Sequence, residues 1–228
     1  GAEAAAFYGF AAADTRDANI RMAEILASWH ARSGRPDDAR QTLAELAAQS
    51  VEASIALPGL LNAMDRPAVA KATDGLAEAY LAFGASIRAA GTQDLALMVL
   101  RLAIDLRPDL AAARLMTAEI HQSRQKPALA LGALSDIRDG DALAAIARLR
   151  RSILMDKVGR TDDAVDMLGA LSRDFPDSLI PDLQLGETLK SRSRFREAIP
   201  VYDRAIRKIA RPGPADWMLF RSEEHTSE

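Results

Sequence analysis

The sequence has no cysteine and only three histidines among its 228 residues. Without thiols the chain can form no disulfide, no thiolate metal site and no cysteine nucleophile. Neither charge is in large excess, because the 29 basic and 32 acidic residues give a net charge of -3. Nucleic acids and anionic membranes bind proteins with a basic excess, so we expect no nucleic acid as a partner.

Long hydrophobic runs and strand-forming residues are scarce as well. The longest apolar runs, such as residues 95–100, are far shorter than the roughly 20 residues of a membrane-spanning helix. The sequence has 46 alanines and 28 leucines, both strong helix formers, whereas valine and isoleucine are too sparse for strand runs. The composition therefore predicts an all-α protein without membrane insertion. The 24 arginines against 5 lysines are typical of a GC-rich, bacterial genome.

Both ends of the sequence indicate a piece of a longer protein. Residue 1 is glycine rather than methionine, so we expect the natural start upstream, where a signal peptide would also lie. The last eight residues, 221–228, resemble the translation of a sequencing-library adapter, which implies an artefactual tail without a function. We expect a soluble chain whose compartment stays open between the cytoplasm and the periplasm.

A pattern of small and large apolar residues recurs every 34 residues. Each repeat has an alanine, with a small residue twelve positions before it and a large apolar residue four positions after it. A fixed period of this length indicates stacked repeats, and small residues at helix contacts let two backbones approach closely. The positions that we predict to pack the repeats are Gly84, Ala96, Leu100, Ala103, Ala118, Ala130, Leu134, Ser152, Ala164, Leu168, Gly186, Ala198, Tyr202 and Ala205.

Within each repeat the apolar residues follow helical spacing with one interruption in the middle. Gly91 lies at that interruption in the first repeat, and Pro108 closes the repeat. Because proline cannot continue a helix, each repeat is predicted to be a pair of helices with about 12–15 residues each. In the first helix of this repeat we expect one apolar face formed by Leu76, Tyr80, Phe83 and Ile87.

The period, the small residues of the first helix and the closing prolines resemble the tetratricopeptide repeat. This resemblance covers four in-phase repeats in residues 76–210. It implies an α-solenoid, in which antiparallel helix pairs stack into a right-handed superhelix. An earlier helix pair in residues 20–50 is similar, since Ala27, Gly34 and Ala39 keep the internal spacing, but it is out of phase with the four repeats.

The remaining residues divide into short segments. Residues 1–19 are predicted to be a helical remnant of an upstream region. Residues 51–75 are predicted to be an inserted helical segment that is interrupted at Pro58-Gly59, and residues 211–220 to begin a further, truncated repeat.

No arrangement of side chains indicates an active site. His30 and His121 are far apart in the sequence and are expected to pack or to lie partly exposed. The acidic pair Asp162-Asp163 is consistent with a metal site or with a helix cap, and its position before a helix favours the cap. The sequence has no phosphate-binding glycine loop, zinc-protease motif or nucleophile elbow. We therefore expect no enzyme activity, no metal and no cofactor.

The tetratricopeptide resemblance also implies where a partner binds. In that family the first helices line a concave groove, and the matching positions here are Leu81, Ala85, Arg88, Leu115, Glu119, Gln122, Leu149, Ile153, Asp156, Leu183, Glu187 and Lys190. The leucines have a second interpretation, because such a repeating column is also typical of inter-helix core. The lysine and asparagine side chains with which the family holds a C-terminal carboxylate are absent from the matching positions, so we expect no tail capture of that kind.

Three functions are consistent with these features. The leading hypothesis is a non-catalytic scaffold that binds a peptide or a protein surface in the concave groove. A second hypothesis is a regulatory or substrate-docking arm of a larger enzyme whose catalytic domain lies outside this sequence. A third is an architectural module that self-associates.

Overall fold

The computed structural model describes residues 16–209 of the chain, with side chains for residues 20–208. This part contains eleven α-helices and no strand, so the all-α prediction is confirmed. In chain order the helices are α1 (Arg16–Arg32), α2 (Pro36–Gln49), α3 (Val51–Ala63), α4 (Ala72–Ala89), α5 (Gln93–Leu106), α6 (Ala111–Ser123), α7 (Pro127–Ser135), α8 (Ala144–Lys157), α9 (Thr161–Asp174), α10 (Ile180–Ser191) and α11 (Phe195–Ile209).

The last eight of these helices correspond to the four in-phase repeats that the sequence predicts. α4 and α5 make repeat 1, α6 and α7 repeat 2, α8 and α9 repeat 3, and α10 and α11 repeat 4. Two helices depart from the predicted length, since α4 has 18 residues and α7 has 9. The truncated repeat predicted at 211–220 and the tail at 221–228 lie outside the described residues, as does the upstream remnant apart from 16–19.

The turn between the two helices has the same backbone geometry in every repeat. After each first helix comes one residue with a left-handed backbone, at Gly91 (φ 84°), Gln125 (φ 57°), Gly159 (φ 83°) and Ser193 (φ 57°). The residue after it donates its backbone N–H to the carbonyl five positions back, as Lys126 does to His121 at 2.9 Å. This is a Schellman helix end, which glycine forms at the least conformational cost. Gly34 repeats the geometry between α1 and α2, with a φ of 76°.

Among the described residues, 16–44 and 58–143 form one compact unit. Within it α4 packs along α5, α6 packs along α7, α5 contacts α6, and α1 contacts both α4 and α6. A Cβ atom on Gly84 would lie 3.0 Å from the Leu100 side chain, so α4 and α5 approach as closely as a small residue permits. Leu100, Leu115 and Met116 are fully buried in this unit.

Residues 45–57 and 144–209 form the second compact unit. Within it α8 packs along α9 and α10 along α11, and α10 contacts both helices of the preceding repeat. A Cβ atom on Gly186 would lie 2.7 Å from the Tyr202 ring. Gly186 holds in repeat 4 the position that Gly84 holds in repeat 1, so the same close contact joins the two helices of both repeats.

The inserted segment contains a continuous helix, so the predicted interruption at Pro58-Gly59 is wrong. α3 continues through Pro58, although proline has no N–H for the helix ladder. Ala56 and Leu60 are 0% and 1% exposed, and their burial offsets the missing hydrogen bond. Gly59 permits a close approach instead, because a Cβ there would lie 2.6 Å from the carbonyl oxygen of Ala142.

The apolar face predicted for the first helix of repeat 1 is wrong in part. Leu76 and Phe83 are 48% and 56% exposed, whereas Ala77 and Leu81 are buried. The close contact with α5 selects small residues such as Gly84, so large side chains at neighbouring positions remain outside the core.

Candidate functional site

Two of the predicted packing contacts, Gly84 with Leu100 and Gly186 with Tyr202, join the two helices of one repeat. All of the predicted packing positions are buried except Tyr202, which is half-buried. The alanines that define the period, Ala96, Ala130 and Ala164, are all 0% exposed, and Ala198 is 3% exposed. These residues form the core of the repeats and are unavailable to a partner.

Most of the apolar residues predicted for the groove are core residues. Leu81, Leu115 and Leu149 are 3%, 1% and 4% exposed. Leu183 and Ile153 are half-buried. Of the two interpretations of the leucine column, inter-helix core describes the first three leucines, because they offer little surface to a partner. Ala85 on the same helix face is likewise buried, with 6% exposure.

In the first unit, two of the polar groove residues form an ion pair. Arg88 Nη1 donates to Glu119 Oε1 at 2.8 Å, which joins the first helices of repeats 1 and 2. Gln122, one turn further along α6 than Glu119, is exposed. This part of the predicted groove therefore links neighbouring repeats.

In the second unit the polar groove residues are paired as well. Asp156 accepts hydrogen bonds from Arg192 Nε at 3.0 Å and from the Thr161 hydroxyl at 2.7 Å. Burial alone would raise the pKa of Asp156, but these two hydrogen bonds outweigh it and hold the pKa below its usual value. Lys190 lies 3.0 Å from Glu187 on the same helix.

A pocket that the sequence did not predict lies between α1 and α4, both in the first unit. Its volume is about 660 Å³. It is lined by Arg21, Met22, Ile25, Ser28, Trp29, Arg32 and Ser33 on one side, by Ala68 and Val69 before α4, and by Gly75, Glu78, Ala79, Leu81 and Ala82 on the other side. Of the predicted groove residues only Leu81 lines this pocket.

A difference in side-chain size between the two helices creates the pocket. α1 contributes Met22, Ile25 and Trp29, which share one helix face because they are three and four residues apart. α4 contributes Gly75 and Ala79, again one turn apart. Large side chains opposite small ones leave open space between the helices.

The floor of the pocket is a closed ion network around Glu78. Arg21 donates to Glu78 Oε1 from Nε at 3.0 Å and from Nη2 at 2.5 Å, and Arg107 Nη1 donates to the same oxygen at 3.0 Å. Arg21 also lies 2.6 Å from Glu24, and both arginines donate to the Ala68 carbonyl. Burial alone would lower the pKa of Arg21, but the carboxylates of Glu24 and Glu78 outweigh burial and raise the pKa. The network fixes the segment before α4 against α1.

The rim of the pocket carries an exposed aromatic ring and one arginine, and a second arginine stacks on that ring. Trp29 is 42% exposed. The Arg35 guanidinium lies over its ring, 4.5 Å from the centroid, and also 3.7 Å from Asp38. Arg32 is exposed and forms no ion pair or hydrogen bond with any residue in the described range. The rim therefore combines apolar surface with positive charge.

The helical pattern of α1 was a signal for this pocket. Met22, Ile25 and Trp29 follow the spacing of an apolar face, but the residues of the opposite wall lie after an insertion that breaks the 34-residue period. A 34-residue pattern predicts contacts between residues that keep that spacing. The two walls of the pocket do not keep it, so the pattern could not predict that they face each other.

The two histidines have different surroundings. His30 Nδ1 lies 3.7 Å from Asp38. Burial of His121 lowers its pKa, and the positive charges of Lys126 and Arg124 lower it further. Over residues 16–209, no cluster of three or more histidine, aspartate or glutamate side chains is arranged to hold a metal ion. None of the described helices is long and apolar enough to cross a membrane.

The predicted cap at Asp162-Asp163 is wrong. α9 has Arg160 at its N-cap, without a side-chain hydrogen bond there. Asp162 instead accepts a hydrogen bond from Arg194 at 2.7 Å, and Asp163 accepts one from Arg160 at 2.7 Å. Both carboxylates lie in the first turn, two and three residues after the N-cap, where they complement the helix dipole and pair with arginines.

The comparisons with known proteins bear on the fold. No protein-family model matches this sequence, and no curated protein matches it. The solved structure MamA MSR-1 C2 is 20% identical, with 87% of this chain and 99% of the other covered and a TM-score of 0.51. The chain has a tetratricopeptide-like helical-repeat fold.

Two further solved structures show the same tetratricopeptide-like arrangement. The MamA RS-1 ArsTM double mutant is 15% identical, with 86% of this chain and 96% of the other covered and a TM-score of 0.52. A putative kinesin light chain of Podosopora anserina with nearly identical TPR-like repeats is 13% identical, with 85% and 96% covered and a TM-score of 0.52. At these identities the likeness concerns the fold.

Proposed function

We propose that this chain is a non-catalytic protein-interaction scaffold that binds a peptide or a protein surface at the pocket between α1 and α4. The observation that carries the proposal is the open pocket of about 660 Å³ beside the exposed ring of Trp29. A pocket of this size, with apolar walls and a few polar groups, is typical of ligand-binding sites in proteins.

The charged groups of the pocket support binding rather than chemistry. Glu78 and Arg21 hold each other and the segment before α4, as the hydrogen bonds of 2.5 and 3.0 Å show. An acid-base catalyst needs a group that is free to exchange its proton with a substrate, and both of these groups serve as structural ion-pair partners. In the first unit, the exposed Gln122 of the predicted groove is proposed as a further contact of a larger partner.

A selection from a random peptide library displayed on phage, with the full chain as bait, tests this function. We expect peptides that bind with dissociation constants in the micromolar range and that lose binding to Ala79→Leu, which fills the pocket. Ala89→Leu is the matched control, because Ala89 is an exposed alanine of the same helix outside the pocket. Failure to select any peptide that binds the wild-type chain contradicts the proposal.

A further inference from the structure

We propose that the α1–α4 pocket binds an internal peptide segment in which a large apolar side chain is flanked by aspartate or glutamate. This inference rests on the proposed peptide-binding function and adds the chemistry of the ligand. It follows from three features of the pocket. These are its open apolar space, the ion network around Glu78 in which every charge has a partner, and Arg32 at the rim, which has no ion-pair partner in residues 20–208.

The open space fits a large apolar side chain. The α4 wall has the small residues Gly75, Ala79 and Ala82 beside Glu78 and Leu81. A Cβ atom on Gly75 would meet no atom closer than Val69 Cγ1, at 3.9 Å. Val69 itself is 39% exposed. A leucine or phenylalanine side chain placed there would contact Val69 and the Trp29 ring, and both would lose exposed apolar surface.

The floor offers no free partner to a charged ligand group. The Arg21 guanidinium contacts Glu24, Glu78 and the Ala68 carbonyl at 2.5–3.0 Å, and Arg21 is 6% exposed. A carboxylate inside the pocket would have to displace one of these partners, and an ammonium group would meet two arginines around Glu78. The interior therefore selects an uncharged, apolar group.

The rim selects a negative charge. Arg32 is exposed, lines the pocket and has no ion-pair partner among the described residues. Arg35 adds a second positive charge, which stacks on Trp29 and is 3.7 Å from Asp38. A carboxylate that binds at Arg32 gains a hydrogen-bonded ion pair, whereas an ammonium group there is repelled.

The spacing of the two features sets the spacing within the ligand. Arg32 follows Trp29 by three residues on the same helix, which is about one turn or roughly 5 Å along its axis. An extended peptide advances about 3.3 Å per residue. The acidic residue of the ligand is therefore one or two positions from the apolar residue, and its side chain supplies the carboxylate.

Fluorescence titration of the full chain with defined peptides tests this inference. The probe is the acetylated, amidated hexapeptide Ser-Glu-Leu-Phe-Glu-Ser, with one variant in which lysine replaces both glutamates and another in which alanine replaces leucine and phenylalanine. Trp217→Phe leaves Trp29 as the single tryptophan, because the sequence has two. Arg32→Glu is the test variant and Arg196→Glu the control, since Arg196 is exposed and forms no ion pair with a described residue.

We expect the acidic peptide to change Trp29 fluorescence with a dissociation constant of about 0.1 mM. The lysine peptide should bind about five- to tenfold more weakly and the alanine peptide at least tenfold more weakly. Arg32→Glu should reverse the order of the acidic and lysine peptides, and Arg196→Glu should preserve it.

Equal binding of the acidic and lysine peptides, or an order that Arg32→Glu leaves unchanged, overturns the inference. Binding that requires a free C-terminal carboxylate on the same hexapeptide also overturns it, because the carboxylate then comes from the chain end. If these peptides fail while library-selected peptides bind and are sensitive to Ala79→Leu, the inference fails and the proposed function stands. If the library yields nothing either, both fail.

Discussion

Repeats 2 and 4 join their two helices with ion pairs of opposite polarity. In repeat 2, Arg114 on the first helix donates to Asp136 after the second helix at 2.7 Å. In repeat 4 the matching position is Asp182, which accepts from Arg204 at 2.7 Å and lies 2.7 Å from Lys208 Nζ. The acid and the base have therefore exchanged helices between these two repeats.

Burial differs between the two arrangements. Asp136 has a side chain that is 62% exposed, whereas the Asp182 side chain is 0% exposed. A buried carboxylate needs more partners than an exposed one, and the Ser172 hydroxyl supplies a further hydrogen bond to Asp182 at 2.6 Å. Repeat 4 therefore depends on its acid far more than repeat 2 does.

Among the predicted substitutions, removal of the buried carboxylate of Asp182 should lower the stability most. Asp182→Ala leaves Arg204 and Lys208 without their carboxylate, and we expect a loss of about 2–4 kcal/mol in the free energy of unfolding. Arg114→Ala should cost less than about 1 kcal/mol, because its partner is exposed. Urea denaturation followed by circular dichroism measures both. Equal losses would show that the two pairs are equivalent.

The same acid should make stability depend on pH. Burial alone would raise the pKa of Asp182, but hydrogen bonds from Arg204, Lys208 and Ser172 outweigh it and lower the pKa. Because the folded pKa is below the unfolded value of about 3.9, the stabilisation is fully present above that value and is lost as the pH falls through the folded pKa. The stability difference between the wild type and Asp182→Asn should therefore be constant from pH 7 to 5 and shrink below about pH 4. A difference that grows in acid contradicts this assignment.

The packing of small against large residues should show the next largest effect. Repeat 2 has Ala118 and Leu134 at the positions of Gly186 and Tyr202 in repeat 4. A Cβ on Gly186 would lie 2.7 Å from the Tyr202 ring, so Gly186→Ala should cost about 1–3 kcal/mol. The double variant with Tyr202→Leu recreates the pair of repeat 2 and should recover most of this loss. Denaturation midpoints measure the effect, and a double variant no more stable than the single one argues against the contact.

The turns should give the smallest effect. Gln125 in repeat 2 and Ser193 in repeat 4 both adopt φ 57°, where repeat 3 has Gly159. Glycine has no Cβ clash in this region, so Gln125→Gly and Ser193→Gly should each raise the stability by about 0.5–1 kcal/mol. Gly159→Ala should lower it by about 1 kcal/mol. Thermal melts compare the three variants, and a loss on Gln125→Gly would show that its side chain matters more than its backbone.

The fold was largely predictable from the sequence because repetition multiplies a weak signal. Ala96, Ala130, Ala164 and Ala198 alone are common residues, but their constant spacing revealed the helix pairs. The helix through Pro58 was missed, because local propensity says nothing about the burial that sustains a helix with a missing hydrogen bond.

The candidate site was predictable only in part. The leucine column, including Leu81 and Leu115, has the same period whether it faces a partner or a neighbouring helix, so only three-dimensional burial separates the two cases. The pocket brings Trp29 opposite Ala79 across an insertion of irregular length. Repeat periodicity cannot predict contacts between residues on the two sides of such an insertion. The ion network around Glu78 could not be predicted either, because it depends on distances between side chains that are far apart in the sequence.

The exchanged ion pair of repeat 4 also bears on how such repeats diverge. Reversing one charge of Arg114 and Asp136 would place two like charges against each other, so a direct exchange of the two charges passes through an intermediate without the ion pair. Repeat 4 has cations at two positions of α11, Arg204 and Lys208, one turn apart. A second cation one turn away avoids this intermediate, because a new ion pair can form with it before the old ion pair is lost.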